Sequence, residues 1–486
     1  MKTQPMAPVD VAWFHIDGPV NLAQVTGIAL TRKPLDFAKV KTVFTARLGR
    51  FRRFRQRAVE RGFPIATPCW EDMPDFAIEQ QLHHVALPAP HDDAALADLI
   101  SDLAGTPLDR ERPLWEAHVV DGVGAGSALI MRIHHCVGDG TAMMAVIREL
   151  FDATRAAPVV PAAKAAPASA GSARIDSPIA YARDAVAASA KASLAAIGAG
   201  LDTVMHPQDS LEKVARVLEG AAILASALLK APDPRSPLKG EFGMKKRVAW
   251  SDPVALDDVK AVGSPLGAKI NDVLVAAMTG ALRTYLQGRH VDVSRTHVRA
   301  LVPVDLRPPH RAGELGNQFG LVTLDLPVRS RTAAQRLRSI KARMDALKRS
   351  PEAAAILLLF DLFGRGPKAV EDFAVDLFGS KASVVMTNVA GPRRTLYLAG
   401  VAIDRLMFWV PHPGRQLGMG ISILSYRGAA SLALVADARL VPDPGTITRQ
   451  FNREFARMLA AVRPRGVGAT GASAPPRRPS ARRPRA

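Results

Sequence analysis

The chain has 486 residues, of which 48% are hydrophobic and 22% are charged, a composition typical of a globular protein with more than one domain. Two cysteines exclude a disulfide framework or a zinc ribbon, and the first residues lack the apolar core of a signal peptide. The net charge of +19 indicates nucleic acid, an anionic membrane surface or a phosphorylated substrate as a partner. No stretch of about 18 uncharged apolar residues occurs, so we expect a cytoplasmic protein that is soluble or peripheral.

The first elements in chain order are a short strand at Ile28–Leu30 and a helix over Asp36–Leu48. An arginine-rich segment over residues 47–61 follows, with Phe51 and Phe54 between the arginines. Basic residues alternating with aromatic ones are typical of surfaces that bind single-stranded nucleic acid. The alternative is a helix end and a strand with outward-facing arginines, and we favour it. We expect structural roles for the two histidines at positions 83 and 84.

A helix is predicted from residue 92 to 105, and a strand begins at Trp115. Alternation of apolar residues continues to Val120, so this strand should lie beside the next one along the chain. A large buried tryptophan is by default part of a hydrophobic core. Lining a substrate channel is the alternative for Trp115, and the sequence leaves both roles open.

The next segment, residues 127–150, places two histidines and an aspartate at a junction between strand and helix. The apolar run Ala128–Ile133 predicts a buried strand that ends at Cys136–Val137. Because side chains alternate along a strand, His135 should share a face with Ile133, and His134 should point to the other face. Glycines at 138 and 140 allow a tight turn around Asp139 before a helix.

Several chemical roles are open to this segment. Adjacent histidines of a strand diverge, which disfavours His134, His135 and Asp139 as ligands of one metal ion. The same divergence disfavours Cys136 as a nucleophile activated by His135. A histidine acting as general base, or a purely structural pair of histidines, remains.

The second half follows a segment rich in alanine and proline. We predict an N-terminal domain over residues 1–155, a linker with helices over 156–240, a C-terminal domain over 241–462 and a basic, disordered tail over 463–486. Predicted strands are 247–250, 298–306, 315–326, 410–423 and 431–435. Predicted helices are 269–287, 332–347, 351–363 and 442–459.

The helix over 269–287 has Asn271 and Asp272 in its first turn. Asparagine and aspartate are favoured caps at this place, which explains both residues structurally. A contribution to a functional site is the alternative. A loop with the sequence TNVAGP, which begins at Thr387 and Asn388, follows a short predicted strand.

The motif HHxxxDG resembles that of the CoA-dependent acyltransferase superfamily. More narrowly, the chain is similar to the bacterial wax ester synthase/diacylglycerol acyltransferase family. Companion segments that carry this similarity are Pro-Leu-Trp-Glu at 113–116, Ala-x-x-Asn-Asp at 268–272, Gly-Asn-x-x-Gly at 316–320 and TNVAGP at 387–392. The chain departs from the family at Asp17, where the family usually has Glu, and at Gln24, where it often has His. We therefore give Asp17 little weight as a site residue.

The resemblance implies an α/β fold of two chloramphenicol-acetyltransferase-like domains with mixed sheets, joined by the linker with its helices. It implies His135 as the catalytic base, no metal and no cofactor. Residues expected to support the site are His134, Asp139, Gly140, Asn271 and Asp272. Residues expected to bind substrate are Trp115, Thr387 and Asn388.

The function implied by the resemblance is O-acyl transfer from long-chain acyl-CoA to diacylglycerol or a long-chain alcohol. The acceptor hydroxyl would attack the thioester directly, with a histidine taking its proton. Triacylglycerol, wax esters or both would be the product. We expect a peripheral protein of a membrane or lipid droplet, on the inner face of the plasma membrane, and no nucleic acid partner. The alternatives are a non-catalytic basic protein that binds membrane or nucleic acid, and another HHxxxDG enzyme such as a condensation-type enzyme.

Overall fold

The computed structural model describes residues 3–60, 67–156, 232–234, 236–307, 315–347, 376, 379–412 and 416–463. Most of the predicted linker, the predicted helix over 351–363 and the tail after residue 463 lie outside the described residues. The predictions for these three segments therefore stay predictions.

The elements of the described residues alternate between strands and helices. The strands are β1 (Thr3–Pro5), β2 (Gln24–Thr31), β3 (Gln56–Val59), β4 (Cys69–Asp72), β5 (Leu82–Ala86), β6 (Trp115–Val123), β7 (Gly126–His134), β8 (Lys246–Trp250), β9 (Val254–Ala255), β10 (Val298–Asp305), β11 (Phe319–Leu326), β12 (Val384–Ala390), β13 (Tyr397–Leu398), β14 (Val401–Trp409), β15 (Met419–Tyr426) and β16 (Ala429–Asp437). The helices are α1 (Pro8–Ile16), α2 (Phe37–Arg47), α3 (Asp93–Gly105), α4 (Gly140–Leu150), α5 (Leu256–Gly263), α6 (Ile270–Gly288), α7 (Ala333–Leu347) and α8 (Pro444–Val462).

Two large mixed sheets carry the fold. The first has the strand order β13-β14-β2-β7-β6-β5, and only its β5–β6 pair is parallel among the described strands. The second has the order β11-β10-β12-β15-β16-β8, with parallel pairing of β12 to both β10 and β15. The strands β1, β4 and β3 form a third, smaller sheet. Helices pack on both large sheets, so the predicted α/β fold with mixed sheets is confirmed.

Two strands of the C-terminal half, β13 and β14, belong to the sheet of the N-terminal half. β14 comes from the C-terminal half but pairs with β2 in the first sheet, with Trp409 opposite Thr26. The predicted boundaries treated residues 241–462 as one separate domain and did not include the pairing of β14 with β2. Backbone hydrogen bonds of the first sheet therefore join the two halves directly.

Several predicted strand boundaries differ from the structure, two of them near the motif or the sheet that joins the halves. Of the strand expected over 410–423, only Met419–Ile423 lie in a strand of the described residues, because β14 ends at Trp409 and β15 begins at Met419. Pro411 lies in this gap, where its missing N–H cannot contribute to a strand ladder. The motif strand β7 ends at His134 and not at Cys136–Val137, because His135–Val137 form a 3₁₀ turn.

Gly126 at the start of β7 provides a test of the packing around the first sheet. A Cβ atom at this position would lie 1.9 Å from the Thr31 carbonyl oxygen, which is backbone and cannot rotate away. We expect Gly126→Ala to lower the free energy of unfolding by about 1–3 kcal/mol, measured by chemical denaturation. Gly49→Ala is the control, since no atom lies within 4 Å of its Cβ position. Equal stability of the two variants would contradict this close approach.

Candidate active site

The ring of His135 is held by aromatic side chains. It stacks on Trp13 of α1, with ring centroids 4.0 Å apart and planes inclined by 14°. Phe319 of β11 approaches with its centroid at 5.6 Å. The backbone N–H of His135 donates to the carbonyl of Ala23 at 2.7 Å. These contacts fix the plane of an imidazole that remains partly exposed.

A polar residue from the other half of the chain meets the Nδ1 edge of His135. Oδ1 of Asn317 lies 3.2 Å from Nδ1, in the loop before β11. Nδ2 of Asn317 donates to the backbone carbonyl of His135 at 2.8 Å and to Oδ1 of Asp10 at 2.9 Å. Sequence reasoning missed both Asn317 and Asp10 as site residues. The Gly-Asn-x-x-Gly similarity marked the segment, but nothing in it showed which atoms it would meet.

The loss of solvent around His135 keeps its imidazole uncharged. Burial lowers the pKa of His135 to about 4, although the negative charge of Asp139 and the hydrogen bond to Asn317 act in the opposite direction. A histidine with this pKa is neutral at pH 7. It can therefore accept a proton from a substrate, which a charged imidazolium cannot do.

His134 faces a different set of partners, as the expected divergence requires. Its Nδ1 accepts from the backbone N–H of Cys136 at 3.2 Å, and its Nε2 lies 3.7 Å from Oδ2 of Asp17. Burial acts to raise the pKa of Asp17. Contacts with His134, the N–H of Ala23 and Arg110 lower this pKa by more, so the net shift is downward. Asp17, to which the sequence analysis assigned little weight, thus lies beside the motif.

Asp139 holds the motif loop between the two halves. Its Oδ1 accepts from the N–H of Ala142 at 3.0 Å and caps α4. Its Oδ2 accepts from Nη2 of Arg307 and from the N–H of Gln318, both at 2.9 Å. Asp139 therefore forms an ion pair with Arg307, which comes from the C-terminal half. Both Asp139 and Arg307 are buried.

The turn next to Asp139 leaves no room for a side chain. At Gly138, a Cβ atom would lie 2.9 Å from Cβ of Ala142 and 3.3 Å from the backbone nitrogen of Gly316. Gly138 and Gly316 form a bridge between the two halves. Gly140 is the first residue of α4, and its Cβ position lies 3.7 Å from Val389 at the end of β12.

Four further predicted site residues gather where α6 begins and β12 ends. Oδ1 of Asn271 accepts from Nδ2 of Asn388 at 2.6 Å, which joins two of the family-like segments. Asp272 is buried and its Oδ2 accepts from the N–H of Lys269 at 2.8 Å, as a helix cap. Thr387 precedes Asn388 and is partly exposed.

Trp115 is placed in the core of the N-terminal half. Its side chain is 1% exposed, its Nε1 donates to the carbonyl of Phe54 at 2.9 Å, and it packs against Phe44 and Phe54. Of the two roles that the sequence left open, the core role accounts for these contacts. They show no surface of Trp115 that faces a channel.

The described residues contain one group of side chains with a possible metal-ligand geometry, and it lies outside the motif. Ligand atoms of His83, Glu116 and His118 lie within 4.8 Å of one another. The carboxylate of Glu116 is already paired with the buried guanidinium of Arg132. Burial, His83 and Arg132 together lower the pKa of His118 to about 4. The positive charge of Arg132 opposes a cation at this place.

Cys136 is not in a setting that would make its thiol reactive. The thiol is buried, and burial together with the negative charge of Asp10 raises its pKa well above the ordinary value. A protonated thiol is a poor nucleophile. This agrees with the expectation that Cys136 does not form a covalent intermediate.

The arginine-rich segment forms ion pairs within the protein. Arg47 pairs with Asp152 at 2.7 Å, and the exposed Arg52 pairs with Asp72 at 2.7 Å. The guanidinium of Arg53 stacks over the Trp70 ring at 3.9 Å. These contacts support the structural interpretation of the segment. Within the part of the chain that is described, no helix combines the length and apolarity needed to span a bilayer.

The sequence matches two family models along most of its length. Residues 6–274 match the wax ester synthase/diacylglycerol acyltransferase catalytic domain, and residues 315–459 match the WS/DGAT C-terminal domain. The probable diacylglycerol O-acyltransferase tgs1 of Mycobacterium tuberculosis H37Rv is 29% identical over 468 residues, covering 93% of this chain and 94% of that protein. A second protein of that strain, the probable diacylglycerol O-acyltransferase tgs2, is 29% identical over 458 residues, covering 90% of this chain and 94% of that protein.

Solved structures share the fold. The wax ester synthase/diacylglycerol acyltransferase from Marinobacter aquaeolei VT8 superposes with a TM-score of 0.65 at 20% identity, covering 94% of this chain and all of that one (100%). The first condensation domain of the calcium-dependent antibiotic synthetase superposes with a TM-score of 0.59 at 16% identity, covering 94% and 96%. At these identities the likeness concerns the fold alone.

Removal of Arg307 tests how strongly the motif loop depends on its ion pair. Arg307→Ala leaves the buried Asp139 without its cation, so we expect the free energy of unfolding to fall by about 3–5 kcal/mol in chemical denaturation. Arg52→Ala, which breaks the exposed pair with Asp72, should change stability little. A loss for Arg307→Ala no larger than that of Arg52→Ala would refute the importance of the buried pair.

Proposed function

The chain belongs to the wax ester synthase/diacylglycerol acyltransferase family, and we propose that it transfers a long-chain acyl group from acyl-CoA to a hydroxyl oxygen. The acceptor is diacylglycerol or a long-chain alcohol, so the product is triacylglycerol or a wax ester. The family models on both halves and the diacylglycerol O-acyltransferase relatives support this proposal.

The observation that carries the proposed chemistry is the neutral, immobilised imidazole of His135. As the acceptor oxygen attacks the thioester carbonyl, His135 takes the hydroxyl proton and a tetrahedral intermediate forms. The C–S bond then breaks as the carbonyl re-forms. The imidazolium returns its proton to the departing sulfur, which leaves free CoA and an ester. Atoms and electrons balance without a covalent acyl-enzyme.

The neighbouring residues have distinct roles in this proposal. Asp139 holds the loop through Arg307, and His134 is turned toward Asp17. Asn388, together with Thr387, lines the path of the acceptor or acyl chain, supported by its hydrogen bond to Asn271.

The proposed reaction uses acyl-CoA as a substrate and no redox cofactor. Ester formation from a thioester leaves every atom in its oxidation state, so no electron carrier is required. The proton transfers are within the capacity of one histidine. We propose that the protein acts without a bound metal or prosthetic group.

The acceptor and both candidate products are water-insoluble lipids, so we propose that the protein works at a lipid surface. Its net charge of +19 favours the anionic inner face of the plasma membrane or the surface of a lipid droplet. The tail after residue 463 contains six arginines and no acidic residue. It is the part of the chain best suited to bind anionic lipid.

The activity prediction uses palmitoyl-CoA with either dioleoylglycerol or hexadecanol, and measures free CoA together with the ester formed. We expect the wild type to release CoA, and His135→Ala to be about 10²- to 10⁴-fold slower because the general base is lost. His84→Ala is the matched control, since His84 is exposed and pairs with Asp121. No CoA release by the wild type would refute the proposed activity, and full activity of His135→Ala would refute the assigned base.

The tail prediction compares the full chain with a variant lacking residues 464–486. On vesicles containing phosphatidylserine, we expect the variant to bind at least about tenfold more weakly, because each arginine near an anionic surface contributes roughly 1 kcal/mol. Binding to neutral phosphatidylcholine vesicles is the control and should not change. Equal binding of both proteins to the anionic vesicles would show that the tail is not the anchor.

A further inference from the structure

We propose that Asn317, held by Asp10, selects the ring tautomer of His135, so that Nδ1 carries the proton and Nε2 is the free base. The inference deepens the proposed function and rests on it, because a tautomer matters only if His135 accepts a proton. Asn317 and Asp10 are positioning residues in this proposal. They act through His135 and not on the substrate.

The first step is the orientation of the Asn317 amide. Two oxygen atoms lie at hydrogen-bond distance from Nδ2: Oδ1 of Asp10 at 2.9 Å and the backbone carbonyl of His135 at 2.8 Å. Neither the carboxylate nor the carbonyl can donate a proton in its ordinary form. A flipped amide would place Oδ1 against both oxygens, so the NH₂ group must occupy this side. Oδ1 must therefore face the histidine ring.

The second step is the proton on the ring. Oδ1 of Asn317 lies 3.2 Å from Nδ1 of His135, and an amide oxygen can only accept. An acceptor at this distance from Nδ1 requires a hydrogen atom on Nδ1. In a neutral imidazole the lone pair then belongs to Nε2.

The third step is why the arrangement stays fixed. The backbone N–H of Asn317 also donates to Oδ1 of Asp10, at 3.2 Å, so the loop and the amide have the same anchor. Stacking on Trp13 prevents the imidazole from leaving its plane. The hydrogen bonds among Asp10, His135 and Asn317 join α1, the motif turn and the loop before β11. The base is therefore oriented only when both halves of the chain are assembled.

The charged groups around His135 affect the pKa values of His135 and Asp10. Asp139 on the following loop favours the imidazolium, and His134 on β7 opposes it. Burial raises the pKa of Asp10 to about 6, while Asn317 and Arg53 act against this rise. Protonated or charged, Asp10 retains an oxygen that can accept from Asn317. The orientation of the amide therefore does not require a charged Asp10.

The direct test is nuclear magnetic resonance of the full-length protein labelled with ¹⁵N-histidine. A two-bond ¹H–¹⁵N correlation spectrum at pH 7 should show His135 with an unprotonated nitrogen that couples to both ring protons, which identifies Nε2. The His135→Gln spectrum assigns the signal. An unprotonated Nδ1 would overturn the proposal, and so would a mixture of tautomers in the wild type.

Substitutions of Asn317 provide the kinetic test. Asn317→Ala should lower kcat roughly 10- to 100-fold with little change in KM, and its NMR signal should show mixed tautomers. Asn317→Asp keeps an acceptor at Nδ1 but adds a charge that favours the imidazolium. The pKa seen in the acid limb of the kcat/KM profile should therefore rise by about one unit or more. A purely structural role of Asn317 would leave the tautomer of His135 unchanged in Asn317→Ala and would contradict the proposal.

A control separates the loss of this amide from the loss of amides in general. Asn452 also makes two hydrogen bonds with one partner segment, to the backbone N–H and carbonyl of Asp252. Asn452→Ala should keep both the tautomer and the pH profile. A protein without acyltransferase activity that shows the Nε2 base would refute the proposed function alone. An active enzyme with the other tautomer would refute the role of Asn317 alone.

Discussion

Hydrogen bonds across the two halves of the chain are the constraint on which the site depends. Asp139 of the motif binds Arg307, and Asn317 bridges His135 and Asp10. Arg307 and Asn317 come from the C-terminal half, while the motif and α1 belong to the N-terminal half. The pairing of β14 with β2 adds backbone hydrogen bonds between the same two halves. The motif loop therefore reaches its final geometry only after long-range contacts have formed.

The site combines the uncharged imidazole of His135 with the charged carboxylate of Asp139, which is paired with Arg307. His135 is kept neutral by burial, which disfavours the imidazolium. Asp139 is buried as a charged group and stays in place because a guanidinium and two backbone N–H groups surround it. An isolated buried carboxylate would be strongly destabilising, and these contacts offset that effect. The same loop can thus present a neutral base next to a firmly held anion.

Local patterns in the sequence predicted most elements, and long-range contacts account for what they missed. The 3.6-residue spacing predicted α6 within one residue at each end, although in the structure every residue from Asp272 to Leu282 of that helix is buried. Alternation predicted that His134 and His135 diverge, but the divergence comes from a 3₁₀ turn, since β7 ends at His134. No local pattern could show that β14 pairs with β2, or that Asn317 would reach His135.

The shared fold does not by itself determine the chemistry, since a condensation domain superposes on 94% of the chain. The chemistry then depends on the side chains around the motif loop, and Asp17 is a position where this chain departs from the pattern of its family. The family usually has glutamate there, which is one methylene longer. With aspartate, Oδ2 stays 3.7 Å from Nε2 of His134, beyond hydrogen-bond distance, and Oδ2 also accepts from Arg110 at 3.3 Å. The shorter side chain therefore supports His134 through charge more than through a direct hydrogen bond.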